Sequence, residues 1–373
     1  MRIVYFTHSL VSCWNHGNAH FLRGVMSELI ARGHDVRVRE PVGAWSLENL
    51  LADHGVAGLA AYRAAYPELR SDPFDPAADV APLVAGADVV IVHEWNDPAF
   101  VAAIGRERAR GAPFTLFFHD THHRAVSAPE EMRAYDLSAY DGVLAFGEAL
   151  SEVYRRRGWG KRVWTWHEAA DLRRFHPPVA EEERRGLVWI GNWGDGERTR
   201  ELEDFLLRPA LETGWAPDVH VHGVRYPEAA KAMLARYGAA YHGWAPNAAV
   251  PGIFARHAAT VHVPRRYYAD ILPGIPTIRM FEALACGVPL VSAPWRDEEN
   301  LFRPGEDFLM AADGAEMARH LRALRHDPEL RRSLAGRGLE AVRARHGCAH
   351  RVDELIGIVA SLRPVPDLLR SVA

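Results

Sequence analysis

The sequence predicts an α/β protein made of two doubly wound, parallel-sheet domains that face each other across a cleft. Three observations carry this expectation. At 373 residues the chain is longer than one hydrophobic core organises. Short apolar, β-branched runs alternate with helical periodicity through both halves, the pattern of a parallel sheet covered by helices. The alternation stops once, over residues 176–185, where two prolines precede the charge run Glu181-Glu182-Glu183-Arg184-Arg185.

Residues 2–7 read as the opening strand and 18–32 as a helix, with Phe21, Val25, Leu29 and Ile30 sharing one face. Gly33-His34 closes that helix and 35–39 return as a strand. Buried strands follow at 88–93, 114–119 and 142–146, then a helix at 148–157 and a strand at 162–166. After the break the pattern restarts at 186–191. Further strands fall at 219–222, 239–241, 259–263 and 289–292, with helices at 199–207, 226–237, 248–257, 315–326, 328–346 and 349–362. The expected organisation is an N-terminal domain over 1–170, a linker over 171–185, a C-terminal domain over 186–348 and a closing segment over 349–373.

Composition narrows the functional classes. A net charge of -4 provides no global field for nucleic acid. No run of about 18 apolar residues is available to span a bilayer. Residues 1–8 read as a strand and lack the apolar length of a signal peptide. Cys13, Cys286 and Cys348 are too few and too scattered for a disulfide framework or a zinc site. A cytoplasmic protein, monomeric or homodimeric, is the expectation. Lysine is nearly absent, at Lys161 and Lys231 only, so phosphate contacts must come from arginine or backbone amides.

The most informative stretch runs from Gly274 to Ser292 (GIPTIRMFEALACGVPLVS). It reads as a loop, a short helix carrying Glu282 in its first turn, a Gly-Val-Pro stop and a buried strand. That places Glu282 toward the crevice at the carboxyl edge of a sheet, where open α/β sheets bind ligands; the alternative is a surface glutamate on an ordinary helix. The stretch resembles the donor-site signature of GT-B glycosyltransferases of the bacterial group-1, family-4-like type. The resemblance spans nearly all of the C-terminal half and implies a GT-B architecture of two Rossmann-like domains. It also implies a hexosyltransferase-like enzyme that moves a sugar from a nucleotide-sugar donor (UDP, GDP or dTDP) to an acceptor hydroxyl. In that family the matching glutamate holds the donor ribose. Retaining members carry a first glutamate eight positions earlier; here that position is Gly274. The loop Leu272-Pro273-Gly274-Ile275-Pro276-Thr277 instead resembles a divergent subgroup related to spore-maturation-type glycosyltransferases.

Other motifs join this expected site. Gly191-Asn192-Trp193-Gly194, between a strand and a helix, lets a ligand approach the backbone closely, and Arg198 adds an anion contact. The resemblance puts this loop on the donor diphosphate, with Arg200 or Arg279 assisting. Thr277, Ile278 and Arg279 open the Glu282 helix. In the resembled family the backbone after the strand at 239–241 meets the nucleobase, so Trp244 either borders the base or serves as a core or hinge aromatic. Tyr267, beyond the strand at 259–263, is read as a contact on the acceptor or sugar side. The resemblance implies the same for Asn15, Gly17 and Asn18, since in GT-B proteins the long first βα turn meets the acceptor or the transferred group, and Gly17-Asn18 supplies a helix cap.

His119 and Asp120 end a buried strand, and either suits proton transfer from an acceptor hydroxyl. Glu94, ending another strand, competes for the role. With His122 and His123 the same loop could also suggest a metal, but no second ligand cluster and no D-x-D pair accompanies it. A metal-independent transferase without cofactor is therefore expected, acting on a small molecule, glycan or natural product. The alternatives are a GT-B sugar-nucleotide epimerase and a non-catalytic nucleotide-sugar binder.

Overall fold

The computed structural model describes residues 1–15, 17–179, 183–194, 196 and 198–362. In the first sheet, β1 (Arg2–Phe6), β2 (Asp35–Pro41), β3 (Ser71–Phe74), β4 (Val89–His93), β5 (Thr115–Asp120), β6 (Gly142–Ala145) and β7 (Val163–Thr165) are ordered β3-β2-β1-β4-β5-β6-β7. In the second, β8 (Leu187–Ile190), β9 (Val219–His222), β10 (Ala239–Tyr241), β11 (Ala259–His262), β12 (Leu290–Ser292) and β13 (Leu309–Met310) are ordered β10-β9-β8-β11-β12-β13. All pairings are parallel, with Ile3 opposite both Val36 and Val89 in one sheet and Val188 opposite both His220 and Thr260 in the other. Each order reverses once, at β1/β4 and at β8/β11, and such switch points open a crevice at the strands' carboxyl ends.

Every residue of β4, β6 and β8 is buried, as expected where helices cover both faces of a parallel sheet. Two edge strands carry no such signature. β3, Ser71-Asp72-Pro73-Phe74, pairs with β2 at the rim, where a proline costs no interior ladder bond. β13 is two residues long, too short to show a period.

The domains share buried surface. Phe21, Phe175, Ile278, Phe281 and Leu355 belong to one continuous apolar cluster. A Cβ at Gly17 would lie 2.9 Å from Cγ2 of Ile278, so the first loop and the helix Ile278–Ala285 approach at a distance only glycine permits. Phe175 packs on His20 with ring centres 3.9 Å apart. The last described helix, Cys348–Leu362, packs against the first, Ala19–Ala31, and the carbonyl of Arg351 accepts from the Trp166 indole at 2.8 Å. Positions 180–182 of the expected linker and 363–373 of the closing segment lie outside the described residues. No helix among the described residues is long and apolar enough to cross a membrane.

Candidate functional site

Between the domains lies a cavity of about 390 Å³. Its C-terminal wall is built from strand ends: Gly191 and Asn192 after β8, His222 and Gly223 at β9, His262 and Val263 at β11. Thr277, Ile278 and Arg279 reach it at the start of the helix Ile278–Ala285, whose first amides have no partner within the helix and form an anion-attracting end. Thr277 Oγ1 lies 3.1 Å from His262 Nε2, which ties this helix start to β11. Arg198 also lines the cavity. Its guanidinium donates to the carbonyls of Asn192 and Val263 and sits 5.6 Å from the Trp189 ring centre, so it is held in place before any ligand arrives. Arg265 adds a third arginine to the lining.

Glu282 is placed differently from the sequence expectation. The first turn of Ile278–Ala285 contains no acidic residue; Glu282 comes later and points into the domain interface, fully buried, outside the cavity lining. There its Oε1 accepts from His20 Nδ1 at 2.9 Å, while Oε2 pairs with Arg279. His20 Nε2 accepts the Asp171 amide at 2.8 Å, so the proton sits on Nδ1 and is directed at the glutamate. Burial pushes the Glu282 carboxyl up, but Arg279 and His20 outweigh it and leave it below its ordinary range. Glu282 thus joins the helix Ile278–Ala285 to the N-terminal domain through one hydrogen bond and orients Arg279 through the other.

The N-terminal wall contains Asn15, Gly17 and Asn18. Asn18 does not cap its helix; its side chain donates instead to Thr121 Oγ1 at 2.6 Å, fixing the first loop to the loop after β5. His119, Asp120 and Glu94 do not line the cavity. Side chains alternate along a strand, and His119 turns into the layer formed by Tyr5, Phe21 and Trp166, where it bonds the Tyr5 hydroxyl. Burial, then His93, holds its pKa well below the ordinary value. Asp120 accepts from the Tyr154 hydroxyl at 2.7 Å and from the His122 amide at 2.9 Å, and burial with Glu94 nearby raises it to about 7. Glu94 is raised to about 8 by burial, against the pull of Arg124. The residues that do face the cavity here are Thr121 and His122. Burial and then His123 keep His122 well below its usual pKa, hence neutral.

Tyr267 is likewise off the cavity: it stacks on His123 at 4.2 Å across the domain seam. Trp244 lines the cavity and stacks on His54 of the N-terminal domain at 4.5 Å. Sequence reasoning missed His8, Trp45, Trp95, Glu168 and His222, and weighed His122 only as a metal ligand. His122 and Glu168 follow apolar strands by two or three residues, the same signal that pointed to His119; Trp45 starts a surface helix and carries none. The histidine-rich loop diverges, with His119 on Tyr5, His123 on Ser127 at 2.8 Å and His122 toward the cavity. Among the described residues no group of three or more His, Cys, Asp or Glu side chains is placed to hold a metal ion.

Residues 198–357 match a family described as "Glycosyl transferase-like". No curated protein matches the sequence. Sucrose-phosphate synthase from Thermosynechococcus elongatus is similar over 97% of this chain and 99% of its own, at 15% identity and TM-score 0.63. An α-glucosyltransferase in complex with UDP and a 13-mer DNA containing an HMU base is similar over 96% and 99%, at 12% and 0.69. Anabaena HepE in complex with UDP and glucose is similar over 97% and 100%, at 13% and 0.65. These likenesses establish the GT-B fold across both domains. With the glycosyl transferase-like match in the C-terminal half, they define the class of this chain: a glycosyltransferase.

Proposed function

We propose that the chain transfers a sugar from a nucleoside-diphosphate sugar, held by the C-terminal domain, to an acceptor hydroxyl presented by the N-terminal domain. One observation carries this reading: the cavity lies between the carboxyl ends of two facing parallel sheets, and its C-terminal wall alone supplies arginines and an open helix start. Arg198, Arg279 and the Gly191-Asn192 and Thr277-Ile278 backbone would hold the diphosphate, and Trp244 would border the base. Glu282 would act on the donor by orienting Arg279, with direct ribose contact available only if the His20 bond opens. On the acceptor side, His122 is the proposed base, with Asp120 positioning its backbone. His119 and Glu94 serve behind it.

Transfer without a metal is part of the proposal; the arginines then balance the leaving diphosphate. Placement in the spore-maturation-type subgroup rests on the loop 272–277. A cytoplasmic location rests on composition, and a small-molecule, glycan or natural-product acceptor is proposed with the transferase reading. The test is incubation with UDP-, GDP- and dTDP-sugars while free nucleotide is followed, UDP first because two structures of this fold hold it. Slow release from one donor, accelerated by an acceptor alcohol, is expected. Absence of both release and nucleotide binding would overturn the reading.

A further inference from the structure

We propose that Glu168 contacts the substrate directly, its carboxyl hydrogen-bonding a hydroxyl of the sugar under transfer. The inference rests on the nucleotide-sugar reading above and names a residue that reading does not use. Glu168 lies in the connection that leaves β7 and passes between the domains. Its backbone is fixed from both sides: the Trp166 indole is tied to Arg351, Arg351 Nε reaches the Glu168 carbonyl at 3.5 Å, and Ala170 bridges to Gly347. The side chain is 3% exposed, yet it lines the cavity. Its Oε1 is buried with no hydrogen-bond partner among the described residues. An unbonded buried carboxyl oxygen costs about 1–3 kcal/mol, so the position is unfavourable until something in the cavity bonds it.

The surroundings define that partner. Glu282 and Arg279 face Glu168 from the helix Ile278–Ala285, Glu94 from the end of β4, Tyr268 from the segment after β11, and Arg351 from the last helix. Burial first, then Glu282, raises the Glu168 carboxyl to about 8, against Arg279. At neutral pH it therefore carries its proton. A neutral carboxyl offers one O–H donor and one carbonyl acceptor, the complement of a sugar hydroxyl, and adds no negative charge beside a diphosphate. Because the folded pKa is raised, this neutral form is lost as pH climbs through about 8.

The test compares Glu168→Gln, which keeps both hydrogen-bonding functions and cannot ionise, with Glu168→Ala. Calorimetry with UDP and with the active UDP-sugar is paired with kcat/KM across pH. Glu168→Ala should bind UDP like the wild type and lose ~10-fold or more in kcat/KM. Glu168→Gln should stay within a few-fold and remove the decline above about pH 8. Equal weakening of UDP and UDP-sugar by Glu168→Ala, with a lowered melting temperature, would reduce Glu168 to a hinge support and overturn the proposal. So would a glutamine variant as damaged as the alanine one. Wild-type protein that binds no nucleoside diphosphate would instead sink the donor reading, taking this inference with it.

Discussion

The two walls of the cleft are made from different chemistry. The C-terminal wall presents Arg198, Arg265 and Arg279 beside the turns at Gly191, Gly223 and Thr277. The N-terminal wall presents His8, Trp45, Trp95 and His122, and no described arginine or lysine from that domain lines the cavity. Its aromatic groups contact one another, His8 on Trp45 at 6.1 Å and Trp95 on His122 at 5.3 Å. Arg124 stands behind them, over the Trp95 ring at 4.1 Å. A ligand with one anionic and one neutral end is therefore oriented by the cleft itself: fixed guanidinium groups attract the anion to one side. The aromatic wall offers the other side flat apolar surface and a neutral imidazole. Electrostatics and packing are divided between the domains, so each wall can be altered separately.

The largest expected effect joins the two walls. Glu282→Ala leaves Arg279 and the His20 N–H without their buried partner and should cost about 3–5 kcal/mol of stability. A melting curve and a UDP titration together read this; an unchanged melting temperature would show that the His20–Glu282–Arg279 contact holds nothing, and unchanged UDP affinity would remove Glu282 from the donor site.

His122→Ala tests the aromatic wall and should lower turnover ~100-fold or more while UDP affinity stays near wild type. If that variant remains active while His119→Ala, Asp120→Asn or Glu94→Gln abolishes turnover, proton transfer runs through the buried layer instead.

On the opposite wall, Arg198→Ala should weaken UDP ~10- to 100-fold through loss of charge-assisted bonds, and uridine far less. An equal loss for both ligands would mean that Arg198 acts by holding the Asn192 and Val263 carbonyls. Trp244→Ala should cost several-fold in affinity for any nucleotide, in line with about 0.5–1.5 kcal/mol for an aromatic contact. Retained affinity with a shifted melting temperature would make it a domain contact through His54. The smallest effect is expected from metal removal: turnover in EDTA should match untreated enzyme, and full loss restored by manganese or magnesium would return the 119–123 loop to consideration as a ligand set.

Much of the fold was legible because central strands of a parallel sheet are covered on both faces and must be apolar throughout, as at β4 and β8. The edge strands β3 and β13 were not legible, since a rim position places few demands on its residues. On the C-terminal wall, the cavity lining by Gly191, Asn192 and Thr277 was legible because a strand end followed by glycine or a helix start is a local feature of the chain. The N-terminal wall resisted reading. His119 and His122 sit in one loop, and nothing local distinguishes the imidazole that bonds Tyr5 from the one that meets the cavity.

What the sequence determined by itself was therefore the alternation of elements and the placing of the Gly191-Asn192 and Thr277 backbone at a strand end and a helix start. Both follow from periodicity and turn chemistry over a few residues. What only the tertiary structure decided was which polar side chains line the cleft. Glu282 faces His20, 262 positions away, and Asn18 reaches across 103 positions to Thr121. Whether a carboxylate looks into a cleft or into a neighbouring domain depends on what packs against it, and that partner is set by the closing of the two domains on each other.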